Sequence, residues 1–244
     1  VRTDLRFCLL QIRNPADMVR GHEVECFVDR LAVETEQVHA LDVLNDHLDA
    51  SIYERFDAVL IGGSGEYSVL DDVAPIRAML DFLGETATRG FPVFGSCFGF
   101  QALSLALGGE VVHDAGRAEV GTYEVQLTPA ASSDELFGHL SNRFAAQQGH
   151  KDHVTRLPTC ARHLAGSERS PFQAARFGDA PVWATQFHPE LTEADNRKRV
   201  LHYRDRYASE LDAVLDILRP SVETHDLLAR FADVLAAQPR RVAM

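Results

Sequence analysis

The residues best suited to covalent chemistry in this 244-residue chain are a cysteine framed by glycines and a histidine two positions before a glutamate. The cysteine stands in Gly95-Ser96-Cys97-Phe98-Gly99. Phe91-Pro92-Val93-Phe94 before it reads as a short strand, and Phe100 to Leu107 after it reads as a helix closed by Gly108-Gly109. A nucleophile at such a turn is pushed out of the sheet and has small neighbours where the backbone crowds. It also faces the unpaired N–H groups and positive dipole end of the following helix, which favour an anionic sulfur. An isolated free cysteine is more often a small core residue, and Cys8, Cys26 and Cys160 lack the frame that sets Cys97 apart. Cys8 falls in an apolar run and is expected to pack.

The histidine stands in Thr185-Gln186-Phe187-His188-Pro189-Glu190, after a predicted strand around Trp183. A cysteine nucleophile needs a base to share its proton and a third group to orient that base. His188 at the strand end supplies the first. Glu190, across the stiff Pro189, can hold the imidazole in one tautomer. With 11 histidines in the chain, His-Pro-Glu alone would be unremarkable. Joined to the cysteine turn it defines a candidate triad of Cys97, His188 and Glu190. This chemistry calls for no metal and no cofactor.

Alternating strands and helices must position these groups. Leu5 to Ile12 reads as a buried strand, Asp17 to Ala32 as a helix, Gln37 to Leu41 as a second strand. Asp57-Ala58-Val59-Leu60-Ile61 ends in Gly62-Gly63 and suits the interior of a parallel sheet. Ala74 to Arg89 reads as a helix opened by Pro75. The second half is richer in strands: 120–127, 144–148, 161–166, 172–177 and 182–187. Thr192 to Tyr207 and Thr224 to Ala237 read as helices, with Val200, Leu201, Leu227, Leu228, Phe231 and Val234 as their apolar face. The expected architecture is α/β, a single domain with a central, mostly parallel sheet flanked by helices. Residues 1–210 are expected to form the domain and 211–244 a helical extension packed on it.

The formal charge of −12 disfavours nucleic acid and anionic membranes as partners. No apolar run approaches the roughly 20 residues of a membrane span, and Val1-Arg2-Thr3-Asp4-Leu5 lacks the apolar stretch of a signal peptide. Four scattered cysteines without a Cys-x-x-Cys pair fit reduced thiols, so a cytoplasmic location is expected.

Four segments in order resemble the class I, or triad, glutamine amidotransferase family, with a flavodoxin-like fold. They are Gly62-Gly63-Ser64-Gly65, Gly95 to Gln101, Gly149-His150-Lys151-Asp152-His153-Val154 and Phe187-His188-Pro189-Glu190. The resemblance is strongest to the amidotransferase domain of GMP synthetase. It implies that Cys97 attacks the glutamine carboxamide, that His188 moves protons and that Glu190 orients His188. It also implies an oxyanion hole from the backbone N–H groups of Gly63 and Phe98. Gly65, Gln101, Gly149, His150, Lys151 and Asp152 would bind the glutamyl group, with no proton-transfer role for His150. Two positions depart from the family pattern. Ser64 stands where proline is frequent, and Gly149 where serine is frequent.

The segment after Glu190 is too short for an ATP-using ammonia acceptor domain, and no Walker-type phosphate loop is present. Glutamine or another γ-glutamyl small molecule is the expected substrate, with glutamate and ammonia as products. A separate ammonia-accepting synthetase subunit is one expected partner. A γ-glutamyl peptidase acting on glutathione-like conjugates and a catalytically weak regulatory module are the alternatives.

Overall fold

The computed structural model describes residues 2–206 and 210–238. The first half alternates as expected: β1 (Phe7–Gln11), α1 (Val19–Leu31), β2 (Val38–Asp42), α2 (Ser51–Arg55), β3 (Ala58–Ile61), α3 (Ala74–Thr88), β4 (Val93–Ser96) and α4 (Phe98–Ala106). Then come β5 (Glu110–His113), β6 (Glu119–Leu127), β7 (Arg143–His150), β8 (Asp152–Arg156), β9 (Ala161–Gly166), β10 (Ala174–Phe177) and β11 (Val182–Thr185). The helices α5 (Glu193–His202), α6 (Leu211–Asp216) and α7 (Leu227–Ala237) follow.

Nine strands form one sheet in the order β2-β1-β3-β4-β11-β10-β9-β6-β7. The first five run parallel, in the 2-1-3-4-5 order of flavodoxin-like folds. From β11 outward the pairing is antiparallel. Alternation along β1 shows why the parallel part is apolar throughout. Phe7 and Leu9 pack with Phe27 of α1 and Phe231 of α7, whereas Cys8 and Leu10 pack with Met79 of α3 and Leu103 of α4. Both faces are covered by helices, so both sets of side chains must be apolar.

The second half departs from the sequence reading in three places. Glu110–His113 and Asp152–Arg156 pair as a separate two-stranded antiparallel sheet, so the 149–154 segment is a strand end, a turn and a new strand. The predicted helix from Thr192 ends at His202 and passes into a 3-10 turn at Arg204–Arg206; Tyr207 lies outside the described residues. Leu201, expected on the apolar face, is 46% exposed, while Val200 beside it is buried. Leu227, Leu228 and Phe231 of α7 are fully buried as expected, in the same cluster as Phe94 and Trp183.

Candidate active site

In an open α/β sheet, ligands bind beyond the carboxyl ends of the parallel strands, where the strand order reverses. Here those ends are Arg13 after β1, Gly62–Gly65 after β3, Cys97 after β4 and His188 after β11. Arg13, Gly63, Cys97 and His188 line one cavity of about 240 Å³ with Gln101, Gly149 and Arg199. Drug-sized ligand pockets occupy roughly 300–1,000 Å³, so this one suits an amino-acid-sized substrate.

Cys97 is the residue between β4 and α4 and adopts φ 53°, ψ −98°. For a residue with a Cβ this is a strained conformation. It is held by the Cys97 N–H donating to the Thr185 carbonyl at 2.8 Å and by the Cys97 carbonyl accepting from Phe100 and Gln101. The glycine frame has a steric cause. A Cβ on Gly95 would lie 2.7 Å from the Gly99 carbonyl carbon, and one on Gly99 would lie 2.8 Å from Ile61. Phe98 opens α4, whose first-turn amides have no partner within the helix.

Glu190 is fully buried and takes the His188 Nδ1 at 2.6 Å on Oε1, while Ser96 Oγ donates to Oε2 at 2.7 Å. Burial alone would raise the Glu190 pKa. The charge and hydrogen bond of His188, with Arg199 and Ser96, outweigh it and hold the group at about 2. Burial alone would lower the His188 pKa. The charges of Glu190 and Cys97, and hydrogen bonds to both, outweigh it and raise the ring to about 9. A carboxylate on Nδ1 leaves Nε2 for proton exchange with the sulfur side of the cavity.

The predicted oxyanion loop lies against the histidine. A Cβ on Gly63 would stand 2.9 Å from His188 Cε1, so the ring and the loop fit together only around glycine. At Ser64, the departure from the family pattern has a structural role. Its hydroxyl donates to the Ile12 carbonyl at 2.9 Å and accepts from Tyr67 N–H at 3.0 Å. At Gly149, a Cβ would lie 3.5 Å from His188 Nε2, an ordinary contact, so a serine would fit.

Gly65, Gln101, Gly149, His150, Lys151 and Asp152 all line the cavity. The side chains of Gln101, His150 and Asp152 brace the turn among them. Gln101 donates to the Asp152 carbonyl at 2.8 Å, and Asp152 accepts from Ser68 Oγ at 2.5 Å and contacts His113 Nδ1 at 2.6 Å. His150 is buried between the Asp152 carbonyl and Glu119 Oε2, each at 3.0 Å. Glu119 in turn accepts from Ser167 and Gln173.

Sequence reasoning missed Ser96, Glu119, Gln186 and Arg199. Gln186, whose amide lies 3.7 Å from Cys97 Sγ, and Ser96 sit inside the quoted motifs, where adjacency was the available signal. Arg199 carried none. One group among the described residues has metal-ligand types, His22, Cys26 and Asp195 between α1 and α5. Its members contact one another at 3.1 Å and 3.6 Å, which accounts for their placement without an ion.

Fold and site define an α/β protein with a cysteine on a strained strand-to-helix turn beside a buried histidine–glutamate pair. The family model "Glutamine amidotransferase class-I" matches residues 25–204, and the chain belongs to that family. It is an enzyme of the glutamine amidotransferase type. One relative, a subunit of the glutamine-hydrolyzing GMP synthase of Sulfolobus acidocaldarius, is 32% identical over 149 residues, 60% of this chain and 75% of that protein. Its namesake from Methanocaldococcus jannaschii is 33% identical over 110 residues, 45% of this chain and just over half, 56%, of that protein. A glutamine amidotransferase structure from Thermotoga maritima superposes with a TM-score of 0.77 at 18% identity, covering 96% of this chain and 99% of that one. That likeness concerns the fold.

Proposed function

We propose that the protein hydrolyses the side-chain amide of glutamine through a γ-glutamyl thioester on Cys97. The Cys97 sulfur attacks the carboxamide carbon, and the carbonyl oxygen becomes an oxyanion facing the N–H groups of Gly63 and Phe98. His188 protonates the departing nitrogen, which leaves as ammonia. Neutral His188 then takes a proton from water as it attacks the thioester, and glutamate departs with the thiol restored. Glu190 keeps His188 oriented. The observation that carries this reading is the strained Cys97 turn, which lines the same cavity as the His188 ring that Glu190 holds at 2.6 Å.

The ammonia is proposed to serve amido transfer, delivered to a separate acceptor protein. The relatives support this, because each is named as one subunit of a GMP synthase. No helix among the described residues is long and apolar enough to cross a membrane, and the proposed location is the cytoplasm. The same reading takes residues 1–210 as the catalytic domain and 211–244 as an extension packed on it, supported by the burial of α7; residues 239–244 lie outside the described part.

A second reading has its own observation. The cavity is also lined by Val120, Leu191, Asn196, Val200 and Tyr203. A partly apolar wall of this kind suits a γ-glutamyl conjugate with an apolar leaving group. Because α5 supplies part of this wall, the site is proposed to turn over alone. Glutamate release from glutamine and from a panel of γ-glutamyl amides, with and without a candidate synthetase partner, tests both readings. Steady release that ignores the partner supports the self-sufficient hydrolase. Negligible release followed by strong activation on mixing rejects it, and the preferred leaving group decides between glutamine and a conjugate.

A further inference from the structure

Arg199 on α5 is nine positions beyond Glu190 in sequence and has no place in the motif that contains the triad. Its side chain is only 8% exposed, and Nη1 stands 3.5 Å from Glu190 Oε1, the oxygen that binds His188. Nε and Nη2 are buried without a hydrogen-bond partner. A guanidinium so poorly satisfied is an inefficient way to stabilise a fold. Buried ion pairs are often replaceable by apolar side chains with no loss of stability.

The helix holds Arg199 in place from both sides. One turn earlier, Asn196 donates to the Gln147 side chain at 3.0 Å and to the Gln148 carbonyl at 3.3 Å. One turn later, Tyr203 donates to Asp17 at 2.6 Å and accepts from Arg13 at 2.7 Å. The helix starts at a capping box between Thr192 and Asp195. The guanidinium is thus delivered to Glu190 by an element fixed independently of the triad.

The reaction gives such a charge a purpose. While His188 is an imidazolium, Glu190 has a counter-charge at 2.6 Å. Once His188 has given its proton to the leaving nitrogen, that counter-charge is gone. A fully buried carboxylate left alone favours taking up a proton. A protonated Glu190 would stop accepting from Nδ1–H and release the ring from its orientation. We infer that Arg199 is a positioning residue, holding Glu190 ionised and in place through the half of the cycle in which His188 is neutral. This rests on the proposed triad. The other ionisable groups around this pair are Cys97 at the α4 turn, Cys26 and Glu23 of α1, and Asp195 and Tyr203 on and after α5. Arg199 is the permanent cation among them that touches Glu190.

The test is steady-state kinetics and pH profiles of glutamate release by Arg199→Met and Arg199→Lys, beside Cys97→Ala. Arg199→Met is expected to lose about ten- to a hundredfold in kcat, within the range of a proton-transfer defect, with KM changed by less than about threefold. Loss of a neighbouring cation also favours the imidazolium, so the alkaline limb of kcat/KM moves to higher pH. Arg199→Lys restores most of kcat and returns the limb. Thermal melts establish that each variant is folded. If Arg199→Met does not fold, Arg199→Gln, which also removes the charge but keeps a polar side chain, carries the same pH comparison. Wild-type kcat in folded Arg199→Met, or a loss with an unmoved limb, overturns the inference. If Cys97→Ala keeps full turnover, the triad itself fails; if only the Arg199 outcomes fail, the triad stands.

Discussion

The two sides of the cavity are built by different means. On the Cys97 side, backbone does the positioning: Cys97 is held by its own peptide groups and by glycines too close to α4 and β3 to carry side chains. On the side of the 149–152 turn, side chains do it. His150, Glu119, Gln173, Gln101 and Asp152 form a buried polar network that shapes the 149–152 turn. Geometry set by backbone tolerates polar changes nearby but not an added Cβ. Geometry set by a polar network tolerates volume changes better than loss of one partner, which leaves the others unsatisfied.

Several substitutions can break that contrast. The largest effect is expected from His188→Ala, a fall in kcat of about 10²–10⁴. Glu190→Gln should lose less, because orientation is a partial contribution. Steady-state kinetics check the order, and a more damaged Glu190→Gln would reverse it. Next comes Gly99→Ala, whose Cβ meets Ile61 backbone and side chain. Overpacking of this kind costs about 1–3 kcal/mol. A lowered melting temperature together with lost kcat is expected, while unchanged kcat would show that Cys97 is not held by this frame.

Glu119→Gln tests the other side. It removes the charge shared by His150, Ser167 and Gln173, and a broken buried bond costs about 1–3 kcal/mol. KM for glutamine should rise more than kcat falls. A pure kcat loss would place His150 and Glu119 in the chemistry instead of the cradle.

A smaller effect belongs to pH. In the proposed mechanism the imidazolium of His188, raised to about 9, donates the proton to the leaving group, so kcat/KM should fall as pH rises through about 9. The same shift has a stability sign. A raised histidine contributes stability that is full below its ordinary value of 6.5 and lost as pH passes 9; a depressed Glu190 contributes above 4.5 and loses it toward 2. Melting temperatures of wild type and Glu190→Gln should therefore converge at both extremes of pH. A constant gap across pH would contradict this coupling.

The Cys97 side was the more legible in sequence, for the same reason that it is rigid. A glycine-framed turn between an apolar run and a helix leaves a local mark, as do β1, β3 and β4. The cradle depends on pairings between distant segments. Glu110–His113 and Asp152–Arg156 are short, polar and irregular in register, so neither reads as a strand alone. Arg199 and Leu201 are near neighbours that invert the usual pattern. The charged residue is buried because it meets Glu190, and the apolar one is exposed. Helical periodicity cannot reveal a partner from another segment.

The proposed chemistry stands or falls with Cys97 as the nucleophile. The most direct measurement treats the protein with a glutamine-mimicking electrophile, locates the adduct by mass spectrometry and follows glutamate release in parallel with Cys97→Ala. One adduct is expected, on Cys97, slowed by excess glutamine, with turnover lost in step and absent from a folded Cys97→Ala. An adduct confined to Cys8, Cys26 or Cys160, or full turnover in Cys97→Ala, would contradict it.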